Sequence, residues 1–251
     1  MKPATPETEL PPSTQLRKAV FGGSPETNRL YHNNGDGTFS RVSLGSLASD
    51  SANSHSCAWG DYDNDGYMDL YVSNGPWGGL GPQAGFLYRN NGSSNRWLKL
   101  KLVGTVSNRA AIGAQVRVKA TLGGKTFWQL RQVPAGGGFH CQDDLRPHFG
   151  LGDATRAEIV RIEWPSGSVQ EFHNVPANQI LTVTEPARLQ VTGQGQFQIR
   201  SWTGQKFHVE ASTDLAEWTP LATVTNLTGV AQSSDTDAAN LPRRFYRVVA
   251  E

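Results

Sequence analysis

This chain is short of cysteine, of net charge and of long apolar runs, and each shortage removes a class of function. Cys57 and Cys141 are its two cysteines; one disulfide or two separate thiols fit them equally well, so they leave the redox compartment open. Basic and acidic side chains number 23 and 22, a formal charge of +1. That balance removes the electrostatic case for nucleic acid or an anionic membrane as main partner. No apolar run approaches the ~18 residues that span a bilayer. The opening MKPATPETELPPSTQLRK has no apolar core between its charges, so it does not read as a secretory signal peptide. HExxH, GxSxG and CxxC are absent, as is any convincing amphipathic helix.

What remains is turn and strand chemistry. Glycine contributes 27 of the 251 residues and proline 14, while charged residues reach 18% and apolar residues 37%. Both fractions lie below the globular averages of about 25% and 45–50%. The profile is all-β with many short connections. Residues 1–27 are polar and Pro-rich and read as a disordered lead-in. NRLYHNNGDGTFSRV then places Asn34-Gly35-Asp36-Gly37 between β-prone runs, a hairpin signal. LYHNNG at 30–35 recurs as LYRNNG at 87–92, a spacing suited to propeller blades.

From Trp97 the strands lengthen. WLKLKLV points Leu98, Leu100 and Leu102 one way and Lys99 and Lys101 the other; AQVRVKAT does the same with Val116, Val118 and Ala120 inward. EIVRIEW and VQEF flank a Pro165-Ser166-Gly167 turn, and QILTVT follows at 179–184. Beyond Pro186 come five more short strands, RLQVT, QFQIRS, KFHVEAS, WTPLATV and FYRVV. Trp59, Trp97, Trp128, Trp164, Trp202 and Trp218 read as core residues within strands. Trp77, in the loop NGPWGGLGP, is the one that could stack on a sugar, although interior packing is the stronger reading. Arg243 and Arg244 read as a solvated charge pair before the final strand.

The sharpest local feature is CAWGDYDNDGYMDLYV at 57–72. Asp61, Asp63, Asp65 and Asp69 occupy positions 1, 3, 5 and 9 of a loop, Gly66 supplies the turn at position 6, and the Tyr67 carbonyl stands where a backbone ligand belongs. Alternate carboxylates in a tight loop repel one another unless a hard cation such as Ca²⁺ lies between them. An EF-hand would need Glu at position 12, which is Val72 here, and flanking helices in place of strand-like CAW and LYV. The bland alternative is an Asp-rich solvated turn held by side-chain-to-backbone hydrogen bonds.

This loop, with NRLYHNNGDGTF before it and FLYRNNG after it, resembles the FG-GAP/VCBS repeat, the calcium-binding blade unit of integrin-like β-propellers. NRAAIGAQVRV (108–118), LRPHFGLGDA (145–154), VRIEWPSGSVQEF (160–172) and NVPANQILTVTE (174–185) resemble the ASPIC/UnbV domain that follows such repeats in secreted bacterial proteins. KFHVEASTDLAEWTPLATV with DTDAANLPRRFYRVV is similar to a small β-sandwich module ending many exported proteins of planctomycete and verrucomicrobial type. The chain departs from the second pattern at GGGFHCQDDLRPHFGLG, where the family usually enters a serine-rich strand.

The resemblances imply an all-β architecture: a disordered lead-in at 1–27, partial FG-GAP/VCBS propeller blades with the calcium loop at 28–95, an ASPIC/UnbV-like domain at 96–185 and a β-sandwich at 187–251. They imply a non-enzymatic binding or adhesion protein at the cell exterior, with Ca²⁺ as structural cofactor and a protein or carbohydrate as ligand. The alternative is a non-catalytic fragment of a secreted carbohydrate-active or other hydrolytic enzyme. Residues 28–95 hold about one and a half blades against the four or more of a closed propeller. We therefore expect further blades from a longer chain, with 96–251 able to fold without 1–95. A competing enzyme site gathers His140, Cys141, Asp143, Asp144 and His148, which could bind zinc or do acid–base work. Ordinary surface turns collect the same residues, so His140, Cys141 and His148 are expected to be dispensable.

Overall fold

Alternating apolar and polar runs, cut short by Gly, Pro and Asn turns, give twenty-one strands among the described residues. A computed structural model describes residues 14–16, 26–34, 36–42, 45–75, 83–137, 140–201 and 203–251. Among the described residues one helical turn, Ser46–Ser49, and one 3-10 turn, Ala238–Asn240, accompany the strands. The chain is all-β, as its composition implies. Among the described residues no helix is long and apolar enough to cross a membrane. Two compact units emerge: Met1–Lys101 with Ile112–Ile162 and Gln170–Leu181, and Leu102–Ala111 with Glu163–Val169 and Thr182–Glu251.

The first strands are β1 (Thr14–Leu16), β2 (Glu26–Thr27), β3 (Leu30–Asn33), β4 (Phe39–Val42) and β5 (Ser51–Ala52). Thr14–Leu16 and Glu26–Thr27 fall within the stretch expected to be a disordered lead-in, yet β1 pairs with β3 and β2 with β5. The rest of 1–25 lies outside the described residues. β3 and β4 form the hairpin that the Asn-Gly-Asp-Gly turn predicts. Thr38 N–H donates to Asp36 Oδ1 at 2.9 Å and Asn34 Nδ2 to Thr38 Oγ1 at 2.8 Å, the local bonds that make these residues turn formers. β6 (Ser54–Gly60), β7 (Asp69–Asn74) and β8 (Phe86–Tyr88) follow as an antiparallel meander whose first turn is the Asp-rich loop. Leu30, Leu47, Leu70, Val72 and Tyr88 form a buried apolar cluster. Trp77 and the rest of its loop at 76–82 lie outside the described residues. Among those described, three-stranded sheets are present and no closed propeller.

Next come β9 (Arg96–Val103), β10 (Gln115–Leu122), β11 (Lys125–Gln132), β12 (His148–Gly152), β13 (Arg156–Glu163), β14 (Val169–Pro176) and β15 (Gln179–Thr184). They build two sheets, ordered β12-β9-β15 and β11-β10-β13-β14. β10 keeps the predicted alternation, with Val116, Val118 and Ala120 fully buried. β9 does not. It is a central strand covered on both faces, so Lys99 is buried together with Leu98 and Leu100, and Lys101 is exposed. β11 departs in the opposite sense. As an edge strand it leaves Phe127, Trp128 and Leu130 about half exposed, which moves Trp128 from its expected place in the core to the surface.

The last six strands belong to the second unit: β16 (Arg188–Gly193), β17 (Gln196–Arg200), β18 (Lys206–Ser212), β19 (Thr219–Thr225), β20 (Val230–Ser234) and β21 (Phe245–Ala250). Sheets β16-β17-β20 and β19-β18-β21 share one core, Phe197, Ile199 and Ala231 against Phe207 and Val209, which makes a small sandwich. β20 is the strand the sequence reading missed, because VAQSS is too polar to alternate clearly. Arg244 is not solvated as expected: its Nε lies 2.8 Å from Asp235 Oδ2, and the Asp235 side chain is 2% exposed.

Glu185 organises the rest of that unit. Its carboxylate is buried, and Oε2 accepts the N–H groups of Thr105, Val106 and Ser107 at 2.8, 2.9 and 2.7 Å. Oε1 accepts the hydroxyls of Ser107, at 2.8 Å, and Ser166. Burial alone would raise the pKa, but the bonds from Ser166, Ser107 and Thr105 outweigh it and hold the carboxyl below its ordinary value. A depressed carboxylate stabilises the fold fully above the ordinary glutamate pKa of 4.5 and loses that contribution as pH falls through the depressed value. Glu185→Gln should therefore cost about 2 kcal/mol or more, since three backbone N–H groups lose a charged acceptor. Urea denaturation at pH 7 and pH 3 tests this: the gap between variant and wild type should narrow in acid.

Candidate cation site

The loop between β6 and β7 is closed by its own carboxylates. Asp61 Oδ2 accepts Gly66 N–H at 3.1 Å, Asp63 Oδ1 accepts Asp65 N–H at 3.3 Å, and Asp65 Oδ1 accepts Tyr67 N–H at 2.9 Å. Asn64 adopts φ 61°, a left-handed conformation that Asn tolerates. One oxygen from each of Asp61, Asp63 and Asp65 lies within 4.8 Å of the others, and among the described residues these three alone form such a group. Asp69 is not part of it. Its two oxygens accept Asn90 N–H at 2.7 Å and Tyr62 N–H at 3.1 Å, tying the loop's end to the chain after β8. Burial, aided by Asp63 and Asp65, pushes Asp69 up to about 6 against those two bonds. Tyr67 turns its hydroxyl to the carbonyls of Ser93, at 2.5 Å, and Asn95, at 3.2 Å.

The side-chain-to-backbone bonds of an Asp-rich turn are thus present, and the tip at Tyr62, Asp63 and Asn64 is exposed, but the two ends of the loop are not. Asp61 and Asp69 are each 1% exposed. Asp61 Oδ1 is buried with no hydrogen-bond partner among the described residues, although buried carboxylate oxygens otherwise find donors. A hard cation would satisfy it, and the all-oxygen donor set suits one.

Cationic side chains already grip the loop. Lys99 is fully buried, with Nζ 2.9 Å from Asp61 Oδ2 and 3.0 Å from Asp144 Oδ2. Burial would raise Asp144, but Arg146 and Lys99 outweigh it and hold its carboxyl low. Arg146 in turn donates to the Asp61 carbonyl at 3.1 Å and to Asn64 Oδ1 at 2.6 Å. Arg89, on the solvent side, lies 2.7 Å from Asp63 and 3.2 Å from Asp65. Sequence reasoning missed Lys99, because an alternating strand carries no mark of which position on its polar face distant segments will cover.

The five residues of the enzyme reading do not converge; among the described residues none joins a three-ligand group. Asp143 caps Trp59 N–H at 2.8 Å, and the His140 carbonyl accepts the Ser56 hydroxyl at 3.3 Å. Cys57 and Cys141 are both free thiols, and burial, with Cys141 and Asp143 nearby, pushes the Cys57 thiol up to about 11. His148 is the member of the five that reaches the Asp-rich loop. Its Nε2 donates to the Gly66 carbonyl at 2.8 Å, its ring stacks on Trp97 at 6.4 Å, and burial lowers its pKa, which favours the neutral ring. Beside the loop, Tyr67, Trp97, Arg131, Arg146 and His148 help line a cleft of about 350 Å³.

Two stretches of the chain match known families. Residues 18–72 match the FG-GAP-like repeat, and residues 104–190 match ASPIC and UnbV. The chain is 30% identical over 128 residues to cartilage acidic protein 1 of Mus musculus, half of this chain and 19% of that protein. The Homo sapiens protein of the same name is 30% identical over 125 residues, half of this chain and 18% of its own length. The chain therefore spans about a fifth of the curated relatives it matches. The matched families are not known catalytic domains.

Gly66 offers the sharpest test of the loop's packing. It has φ +92°, and a Cβ there would lie 1.7 Å from the Trp97 ring, whereas Gly37 at φ +90° has nothing within 4 Å. Gly66→Ala should cost about 2–5 kcal/mol from strain plus clash, and Gly37→Ala about 1 kcal/mol from strain alone. His148→Ala should cost about 1 kcal/mol for its lost hydrogen bond. Thermal melts of the three variants check the order.

Proposed function

We propose that the chain is a non-enzymatic binding or adhesion scaffold of the cell exterior whose loop at 61–69 holds a structural Ca²⁺. Asp61, Asp63 and Asp65 would supply side-chain oxygens, with the Tyr67 carbonyl and Asp69 completing or bracing the set. The observation that carries this reading is the buried, unpartnered Asp61 Oδ1 beside the oxygens of Asp63 and Asp65. The match to the FG-GAP-like repeat supports it, and the similarity to proteins named for cartilage supports an exterior setting. The cation's role is structural: it would neutralise three carboxylates and lock the β6–β7 turn against β9 and the segment around Asp144. The cleft bordered by Tyr67 and Trp97 is the place for a protein or carbohydrate ligand, its aromatic walls and guanidinium groups suiting either.

A ligand that binds only the folded form raises stability by mass action. A chelator should lower the melting temperature of the wild type and leave Asp63→Ala unaffected. Identical melts with calcium and with chelator would sink the calcium reading. A polysaccharide panel assayed for binding and hydrolysis in parallel tests the non-enzymatic reading; turnover by the purified chain would overturn it together with the non-catalytic-fragment alternative.

A further inference from the structure

We propose that Lys99 sets how tightly the loop holds its cation, acting as a resident counter-charge on the first ligand. The proposal rests on the calcium reading of the loop. Asp61, at the first ligand position, divides its carboxylate: Oδ2 takes the Lys99 ammonium at 2.9 Å and Gly66 N–H at 3.1 Å, and Oδ1 has no partner among the described residues. Lys99 cannot swing away when a cation arrives. Its side chain is 0% exposed, it sits between Asp61 and Asp144, and its strand is the centre of the β12-β9-β15 sheet. Arg89 is the contrast, since its side chain is 48% exposed and can leave Asp63 and Asp65 for solvent.

A fixed ammonium at that distance has two opposed effects. Without a cation it keeps Asp61 from being a buried, uncompensated charge, so the loop stays folded. With a cation present it repels the incoming positive charge across a shared carboxylate, where burial weakens solvent screening. Lys99 thus exchanges cation affinity for independence from the cation. Asp144 moderates the effect by neutralising part of the ammonium's charge from the other side.

The test uses the full chain, calcium-dependent melting and terbium as a luminescent calcium probe excited through Trp97, whose ring lies against Gly66. Lys99→Met should melt lower than wild type in chelator, recover most of the difference in calcium, and bind terbium on the order of tenfold more tightly. Lys99→Arg should behave as wild type. Asp144→Asn keeps Lys99 and leaves more of its charge unneutralised, so it should weaken terbium binding; this variant decides the matter if Lys99→Met does not fold. Terbium affinity unchanged in Lys99→Met, or an equal loss of melting temperature with and without calcium, reduces Lys99 to a structural ion pair and overturns the proposal. Asp144→Asn binding terbium as tightly as wild type, or more tightly, also overturns it. Absence of any terbium or calcium response in the wild type overturns the calcium reading and this proposal with it.

Discussion

The Lys99 ammonium is buried between two carboxylates contributed by distant parts of the chain, and much of the first unit is arranged around that charge. A buried lysine is costly unless it is paired and hydrogen-bonded. Asp61 and Asp144 meet that condition, and each is then held by its own partners: Asp61 by Gly66 N–H, Asp144 by Arg146. Arg146 reaches back to the Asp61 carbonyl and His148 to the Gly66 carbonyl, so the Asp-rich loop is gripped on its backbone as well as its side chains. The apolar lid over this polar centre is Trp97, packed against Gly66 so closely that no side chain fits there.

The second unit uses the same device with the sign reversed. There a carboxylate, Glu185, is the buried charge, and backbone N–H groups of residues 105–107 with the Ser107 and Ser166 hydroxyls converge on it. Both arrangements spend buried charge on fixing irregular backbone that an apolar core cannot position. A small β domain with short strands has many such connections, and each leaves N–H and C=O groups that need partners.

Features that depend on neighbouring residues were legible in the sequence. The Asn34–Gly37 hairpin, the alternation of Val116, Val118 and Ala120, the Pro165–Gly167 turn and the Asp61–Asp65 convergence all follow from local conformation. They hold because turn residues and strand period act over a few positions only. β20 escaped because its polar side chains carry no alternation, and Trp128 was misplaced because a strand pattern does not say whether the strand lies at an edge.

The sequence by itself determined that this is an all-β protein, where its tight turns fall, and that Asp61, Asp63 and Asp65 meet in one loop, while the structure turned Asp69 to the N–H groups of Tyr62 and Asn90. Only the tertiary structure decided which of two equivalent lysines is buried. Lys99 and Lys101 occupy the same face of β9, and the difference between them is that the Asp61 loop and the Asp144 segment meet the strand at Lys99 and not at Lys101. That outcome depends on contacts between residues 38 and 45 positions apart, which no local period encodes. Coulomb attraction selects the partner, but only the packed fold brings the partners within its reach.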